Sequence, residues 1–419
     1  MGSTQDGIAD QNLRVPKKMS SKKVSAPTKT PAKPARKKVA KKVRRGKNII
    51  VCLDGTGNLF GEHNSNVVKL FRSITRGTRD QVAYYDAGVG TLAAPDFKTP
   101  AGKKVDKVFG LAFGTGLSKD ISEAYRYLMA HYQTGDRVFL FGFSRGAYTA
   151  RALAGLVHCC GLLEPGLDNL VPYALKLFSA AKKLDFQVIA RFKSTYARKG
   201  AVDIHFLGLW DTVSSYGWAY KPVELPYTTN NKSVRAVRHA LAIDERRVFF
   251  KPKRWGAGTA DAKEIWFAGV HSDVGGGYPE AESGLAKYAL EWMLAEARGF
   301  GLKIDSPAYR RYVLGTEGKK PAGEYIGPGQ GQMHRSLIGP WWIAEFLPQR
   351  VWDSELERRR WQLIPRPSTA RSLRDGDTLH QSVLDRIAGG DYRPENLKPP
   401  GRAAFPDLAE LRERFTIEP

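Results

Sequence analysis

Short, continuously apolar runs alternate along the chain with longer stretches in which apolar residues recur every three or four positions. Residues 49–53 read Ile-Ile-Val-Cys-Leu and residues 138–141 Val-Phe-Leu-Phe, and 202–210 and 265–270 are also largely apolar. Such runs suit strands buried on both faces of a sheet. A further strand is expected at 81–85. Helical periodicity marks 118–132, 147–160, 169–183, 186–198 and 284–298, the last with an apolar stripe of Leu285, Tyr288, Ala289, Trp292 and Met293. Pro172 falls in a first helical turn, where its missing N–H is tolerated. Residues 233–244, which carry His239, read as helical. From residue 299 onward the pattern is irregular and predicts loops and short helices, ending in a helix at 407–415. Strands alternating with helices predict an α/β architecture with a mainly parallel central sheet flanked by helices. The helices at 164–200 form a cap-like insertion in that order.

The residues that end the apolar runs carry the chemistry. After Val138-Phe139-Leu140-Phe141 comes Gly142-Phe143-Ser144-Arg145-Gly146, then a helix rich in small residues. A strand running into Gly-x-Ser-x-Gly and a helix is the nucleophile elbow, a turn that lifts one hydroxyl above the sheet and needs glycines to relieve crowding. With 42 glycines in the chain the bare pattern is weak, and the strand before it and the helix after it give it weight.

A serine nucleophile needs a base and an orienting carboxylate, which this architecture presents in the chain order Ser, Asp, His at strand ends. Ser144, Asp211 and His271 fit that order. Asp211 is otherwise a capping residue. His380 is the main rival base and His334 a further candidate, while His239 reads as a packing residue or as a support behind the site. Asp273 is an alternative acid, or part of a His-x-Asp metal or phosphate site with Asp54. The oxyanion hole is assigned to the N–H of Arg145 and that of Gly55 or Thr56. Asp54 serves as a turn cap or acts in catalysis. The glycines at 275–277 suit a close backbone approach to substrate or a tight turn. Residues Leu170, Val171, Ala174, Leu175 and Phe178, beside Lys176, Lys182 and Lys183, make an apolar face for core packing or for a lipid surface.

Charge changes the picture at the N-terminus. Of the net +24, much sits in residues 1–47, which hold 15 Lys or Arg against two Asp. With no aromatic residue between 15 and 47, residues 1–46 are expected to be a disordered basic tail that meets an anionic membrane or nucleic acid, or acts only for solubility. Residues 47–419 then form the domain. No signal-peptide core, myristoylation site or transmembrane run of about 20 apolar residues is seen. The chain is expected to be made as a soluble cytoplasmic protein, exported, if at all, without a cleaved signal peptide. Cys52, Cys159 and Cys160 are too few for a disulfide framework and read as small core residues.

Five spaced motifs carry a family resemblance: DGTGN at 54–58, YDAGVG at 85–90, GFSRGAYTAR at 142–151, GLWDTV at 208–213 and WFAGVHSDVGGGY at 266–278. Together, from about Lys47 to the HQSV at 380–383, they resemble a bacterial and fungal α/β-hydrolase family that includes phospholipase effectors of type VI secretion. The resemblance implies the α/β-hydrolase fold, a nucleophile at Ser144, an acid at Asp211 and a base at His271. The chain is expected to depart from the large effectors of that family in lacking their long C-terminal membrane-anchoring module. The expected function is a serine esterase, with phospholipid as the favoured ester and no cofactor or metal. A metal-dependent phosphoester hydrolase and a nucleic-acid-binding protein with a vestigial hydrolase fold are the alternatives.

Overall fold

Six consecutive buried residues form β1 (Asn48–Leu53), the strand around which the sheet is organised. The computed structural model describes residues 46–419 except 56–60, 62, 89–101, 182–185, 214–224, 248–249, 257, 259–260, 322, 339–341, 343–348, 354–357, 363–367, 369, 391 and 400. For 102–115, 320, 349–353 and 358–362 it describes the backbone alone. All but the last residue of the expected basic tail therefore lies outside the described residues.

β1 lies between β2 (Gln81–Asp86) and β3 (Arg137–Phe143), and the sheet continues through β4 (Ile204–Trp210), β5 (Ala236–Ala242) and β6 (Asp261–Phe267). All these pairings are parallel. Two antiparallel hairpins follow, β7 (Thr316–Glu317) with β8 (Lys320–Pro321) and β9 (Gln349–Asp353) with β10 (Arg358–Gln362). Two short strands, β11 (Thr378–His380) and β12 (Thr416–Glu418), then extend the parallel sheet beyond β6. The eight-stranded order is β12-β11-β6-β5-β4-β3-β1-β2. The chain reverses its direction of travel at β1, so the carboxyl ends of β1 and β3 flank a topological switch point, where such sheets bind ligands.

Among the described residues the helices are α1 (Asn66–Ser73), α2 (Gly102–His131), α3 (Arg145–Cys160), α4 (Val171–Ala180), α5 (Phe186–Tyr196), α6 (His271–Gly275), α7 (Gly284–Gly299), α8 (Ser306–Tyr312), α9 (Gln381–Ala388) and α10 (Leu408–Arg414). Side chains alternate across the strands, so each strand feeds two cores. Ile49, Val51, Val138 and Leu140 pack with Tyr125 and Leu128 of α2 and Leu153 of α3. Ile50, Cys52, Phe139 and Phe141 pack on the other face with Leu70 of α1 and Met293 of α7. Burying one such large apolar side chain contributes about 1.5–3 kcal/mol.

Three expectations need correction or completion. The helical reading of 233–244 is wrong, because these residues contain β5. Its alanines favour a helix locally, but the strand is buried between β4 and β6 and its polar members are paired, Arg238 with Asp261 and Glu296, His239 with Glu264. The irregular C-terminal region contributes two sheet strands and its own core, in which Leu379, Leu384, Leu411 and Phe415 pack on Trp266. In the 164–200 segment, α4 and α5 pack on α3, and Val171, Ala174, Leu175 and Phe178 are buried in the sheet core rather than offered to a lipid.

Candidate active site

Ser144 follows β3 directly and takes φ 57° and ψ −119°, a conformation that a non-glycine residue adopts only under constraint. The constraint is visible on both sides. A Cβ on Gly142 would lie 2.5 Å from the Gly146 carbonyl oxygen, and one on Gly146 would lie 2.2 Å from that of Leu53. Both glycines of the motif are thus required by backbone contacts, and the Ser144 N–H is held by the Trp210 carbonyl at 3.0 Å. The hydroxyl emerges at the switch point between β1 and β3.

His271 enters from the N-terminus of α6, just beyond β6, and bridges Ser144 and Asp211. Its Nδ1–H donates to Asp211 Oδ2 at 2.5 Å, which leaves Nε2 to accept from Ser144 Oγ at 2.8 Å. The ring is walled by Phe143, tilted at 4.7 Å, and Phe250, edge-on at 4.9 Å. Burial holds the imidazole below its ordinary pKa of 6.5 despite the upward pull of Asp211. It is therefore neutral near pH 7, as a proton acceptor must be. Asp211 is fully buried, which by itself would favour the neutral acid, but the Arg371 guanidinium and His271 hold its carboxyl well below the usual range.

Three neighbours fix this arrangement, two of which, Arg371 and Glu245, the sequence reading does not assign. Arg371 makes two bonds to the Asp211 carboxylate, Nη1 to Oδ1 at 2.6 Å and Nη2 to Oδ2 at 2.9 Å. Glu245 accepts the His271 N–H at 3.2 Å and is itself bound by Arg247 and Ser336. His239, read from the sequence as packing or as a support behind the site, accepts the Thr212 N–H on Nε2 at 3.1 Å and turns Nδ1 to Glu264 at 2.8 Å. It thereby anchors the turn that presents Asp211, whose φ is 37°.

The remaining candidates lie elsewhere or have other partners. The Asp54 carboxylate accepts from Ser65 Oγ at 2.5 Å, Tyr85 OH at 2.9 Å and the Gly55 N–H at 2.7 Å. It organises the turn after β1, and the Gly55 N–H expected in the oxyanion hole is engaged by it instead. Thr56 lies outside the described residues. Arg145 is the first residue of α3, so its N–H sits at the helix N-terminus beside Ser144. Asp273 does not face His271: it accepts from His334 Nδ1 at 2.6 Å and from the Val270 N–H at 3.0 Å. His380 caps the helix Gln381–Ala388 and stacks on Phe267 at 4.6 Å, and burial pushes its pKa down to about 4. Asp54, His271 and Asp273 thus have separate partners, and no cluster of metal-binding side chains occurs among the described residues. Two of the three glycines approach protein closely: a Cβ on Gly275 would strike the Phe143 ring and one on Gly276 the backbone of Ser65 and Asn66.

Residues 47–296 match the family described as the catalytic domain of Tle1-like phospholipase effectors of the type VI secretion system (T6SS). The chain belongs to this Tle1-like family. An uncharacterized protein of Saccharomyces cerevisiae is 36% identical over 220 residues, 49% of this chain and 32% of that protein. An uncharacterized Pseudomonas aeruginosa protein of known structure is 21% identical with a TM-score of 0.39, covering 63% of this chain and 47% of that one. The Tle1 effector solved with the VgrG spike is also 21% identical, with a TM-score of 0.33 and coverage of 57% and 53%. The chain thus spans about a third of the curated relative and about half of these two structures. Its sheet and flanking helices are those of the α/β-hydrolase fold. Within the Tle1-like match lie Ser144, Asp211, His271, Glu245 and His239, whereas Arg371, His334 and Ser336 come from beyond residue 296.

Proposed function

We propose that this chain is a serine hydrolase that cleaves the carboxylic esters of glycerophospholipids through an acyl-enzyme. The observation that carries the reading is the hydrogen-bonded chain from Ser144 through His271 to Asp211 on a strained elbow. In the first half-reaction His271 Nε2 takes the Ser144 proton as Oγ attacks the ester carbonyl carbon. The oxyanion forms beside the N-terminus of α3, where the Arg145 N–H stabilises it. Collapse breaks the bond to the leaving alkoxide, which takes the proton from the imidazolium. Water, deprotonated by the same His271, then releases the acid and restores Ser144. Asp211 stays ionised throughout and orients the ring. The phospholipid assignment is supported by the description of the family alone.

Covalent labelling with a fluorophosphonate, followed by peptide mapping, tests the nucleophile. Labelling at Ser144 that is absent from Ser144→Ala is expected, and an unlabelled wild-type enzyme overturns the reading. Fatty-acid release from diacylglycerophospholipid vesicles tests the substrate. Turnover of a short-chain ester without any such release would keep the esterase and remove the phospholipid.

A further inference from the structure

The four acceptor positions of the Asp211 carboxylate are all occupied. Oδ1 accepts from the Ala242 N–H at 3.1 Å and Arg371 Nη1 at 2.6 Å, and Oδ2 from His271 Nδ1 at 2.5 Å and Arg371 Nη2 at 2.9 Å. Two parallel N–H bonds from one guanidinium fix both the position and the plane of a carboxylate. Arg371 is itself buried and also donates to the carbonyls of Ala242 at 2.8 Å and Phe250 at 2.5 Å. It therefore ties Asp211 to the end of β5 and to the residue whose ring walls His271.

We propose that Arg371, supplied from outside the Tle1-like match, is a positioning residue of the candidate triad that aims the Asp211 carboxylate at His271 and offsets its charge. The proposal rests on the serine-hydrolase reading above. A lone buried carboxylate would raise the proton affinity of the Asp211–His271 pair, whereas a carboxylate already paired with a guanidinium presents a nearly neutral neighbour. The other charged groups facing His271 are Glu245 and Arg247, which pair with each other. Asp273, two positions away, pairs with His334. With these unchanged, loss of the guanidinium moves the pair's protonation to higher pH, so the base is protonated, and lost as a proton acceptor, earlier as pH falls. Lysine keeps the charge but has no fork, so it preserves the pH dependence and loses the aim.

The test is the pH profile of kcat/KM on a soluble short-chain ester for wild type, Arg371→Gln and Arg371→Lys, normalised to fluorophosphonate-labelled sites so that unfolded protein does not count. For Arg371→Gln the acid limb is expected to move up by about one pH unit. For Arg371→Lys the limb is expected to stay in place while kcat falls about tenfold, with KM within about twofold. An Arg371→Gln limb coinciding with that of wild type, or an Arg371→Lys enzyme with wild-type kcat, overturns the proposal. If the Gln variant does not fold, the kcat of the Lys variant decides. Failure of wild-type Ser144 to label would instead overturn the serine-hydrolase reading, so the two failures are distinguishable.

Discussion

Gly146 approaches the carbonyl of Leu53 so closely that a Cβ on it would sit 2.2 Å from the oxygen. The helix after the candidate nucleophile is thus docked on the end of β1 by backbone contact, and that contact holds Ser144 in its positive-φ turn. Alanine would favour the helix by about 1 kcal/mol on propensity alone. The clash outweighs this gain, because neither backbone segment can move without displacing the elbow. We expect Gly146→Ala to lose at least about 100-fold in turnover, the scale of a misplacement of about 1 Å, and to melt earlier than wild type. Gly299→Ala, where nothing lies within 4 Å of the added Cβ, is the control and should be near neutral. Equal turnover in the two variants would show that the close approach does not hold the elbow.

The two candidate acids have different histidine partners. Asp211 faces His271, while Asp273 faces His334, whose ring also stacks on Tyr278 at 3.6 Å. Asp211→Asn removes the charge that holds the imidazole in the right tautomer and should lower kcat roughly 10³–10⁴-fold. Asp273→Asn should stay within about tenfold of wild type, since its loss acts on the strap carrying His334 and Ser336 rather than on the base. Steady-state rates on a short-chain ester measure both. A dead Asp273→Asn beside an active Asp211→Asn would move the acid.

Ser144, Asp211 and His271 were legible because each ends an apolar strand, and a parallel sheet brings strand ends to one edge. β5 was not, since its alanine-rich run has the local propensity of a helix and only burial between two strands makes it extended. β11 and β12 are three residues each, too short for any period to show. Arg371 and Glu245 were invisible for another reason. In a chain with 66 Lys or Arg and 42 Asp or Glu, a charged residue in an irregular stretch reads as solvated, and only tertiary structure reveals its burial. That the Gly55 N–H is engaged by the neighbouring Asp54 is likewise invisible in the sequence, since it depends on the turn after β1. The face of α4 read as core or lipid-facing because an apolar stripe beside lysines fits both, and the neighbouring α3 resolves it.

The basic N-terminus can be separated from the chemistry by truncation. Lys47 pairs with Asp136 at 2.6 Å and opens the described domain, so a chain beginning at residue 46 keeps that anchor. Residues 1–45 carry 14 Lys or Arg against two Asp. Their removal should leave turnover of a soluble short-chain ester nearly unchanged, because every residue of the candidate triad and its supports lies beyond them. Binding should change instead, since clustered cations gain by releasing counterions from an anionic surface. The full chain should co-sediment with anionic vesicles or DNA more strongly than the truncated one. The gap should narrow as ionic strength rises above roughly 0.15 M, where charges are screened within about 8 Å. Equal binding of the two forms at low salt would leave the segment no role in surface attachment, and comparing the vesicle and DNA series identifies which anionic surface it prefers.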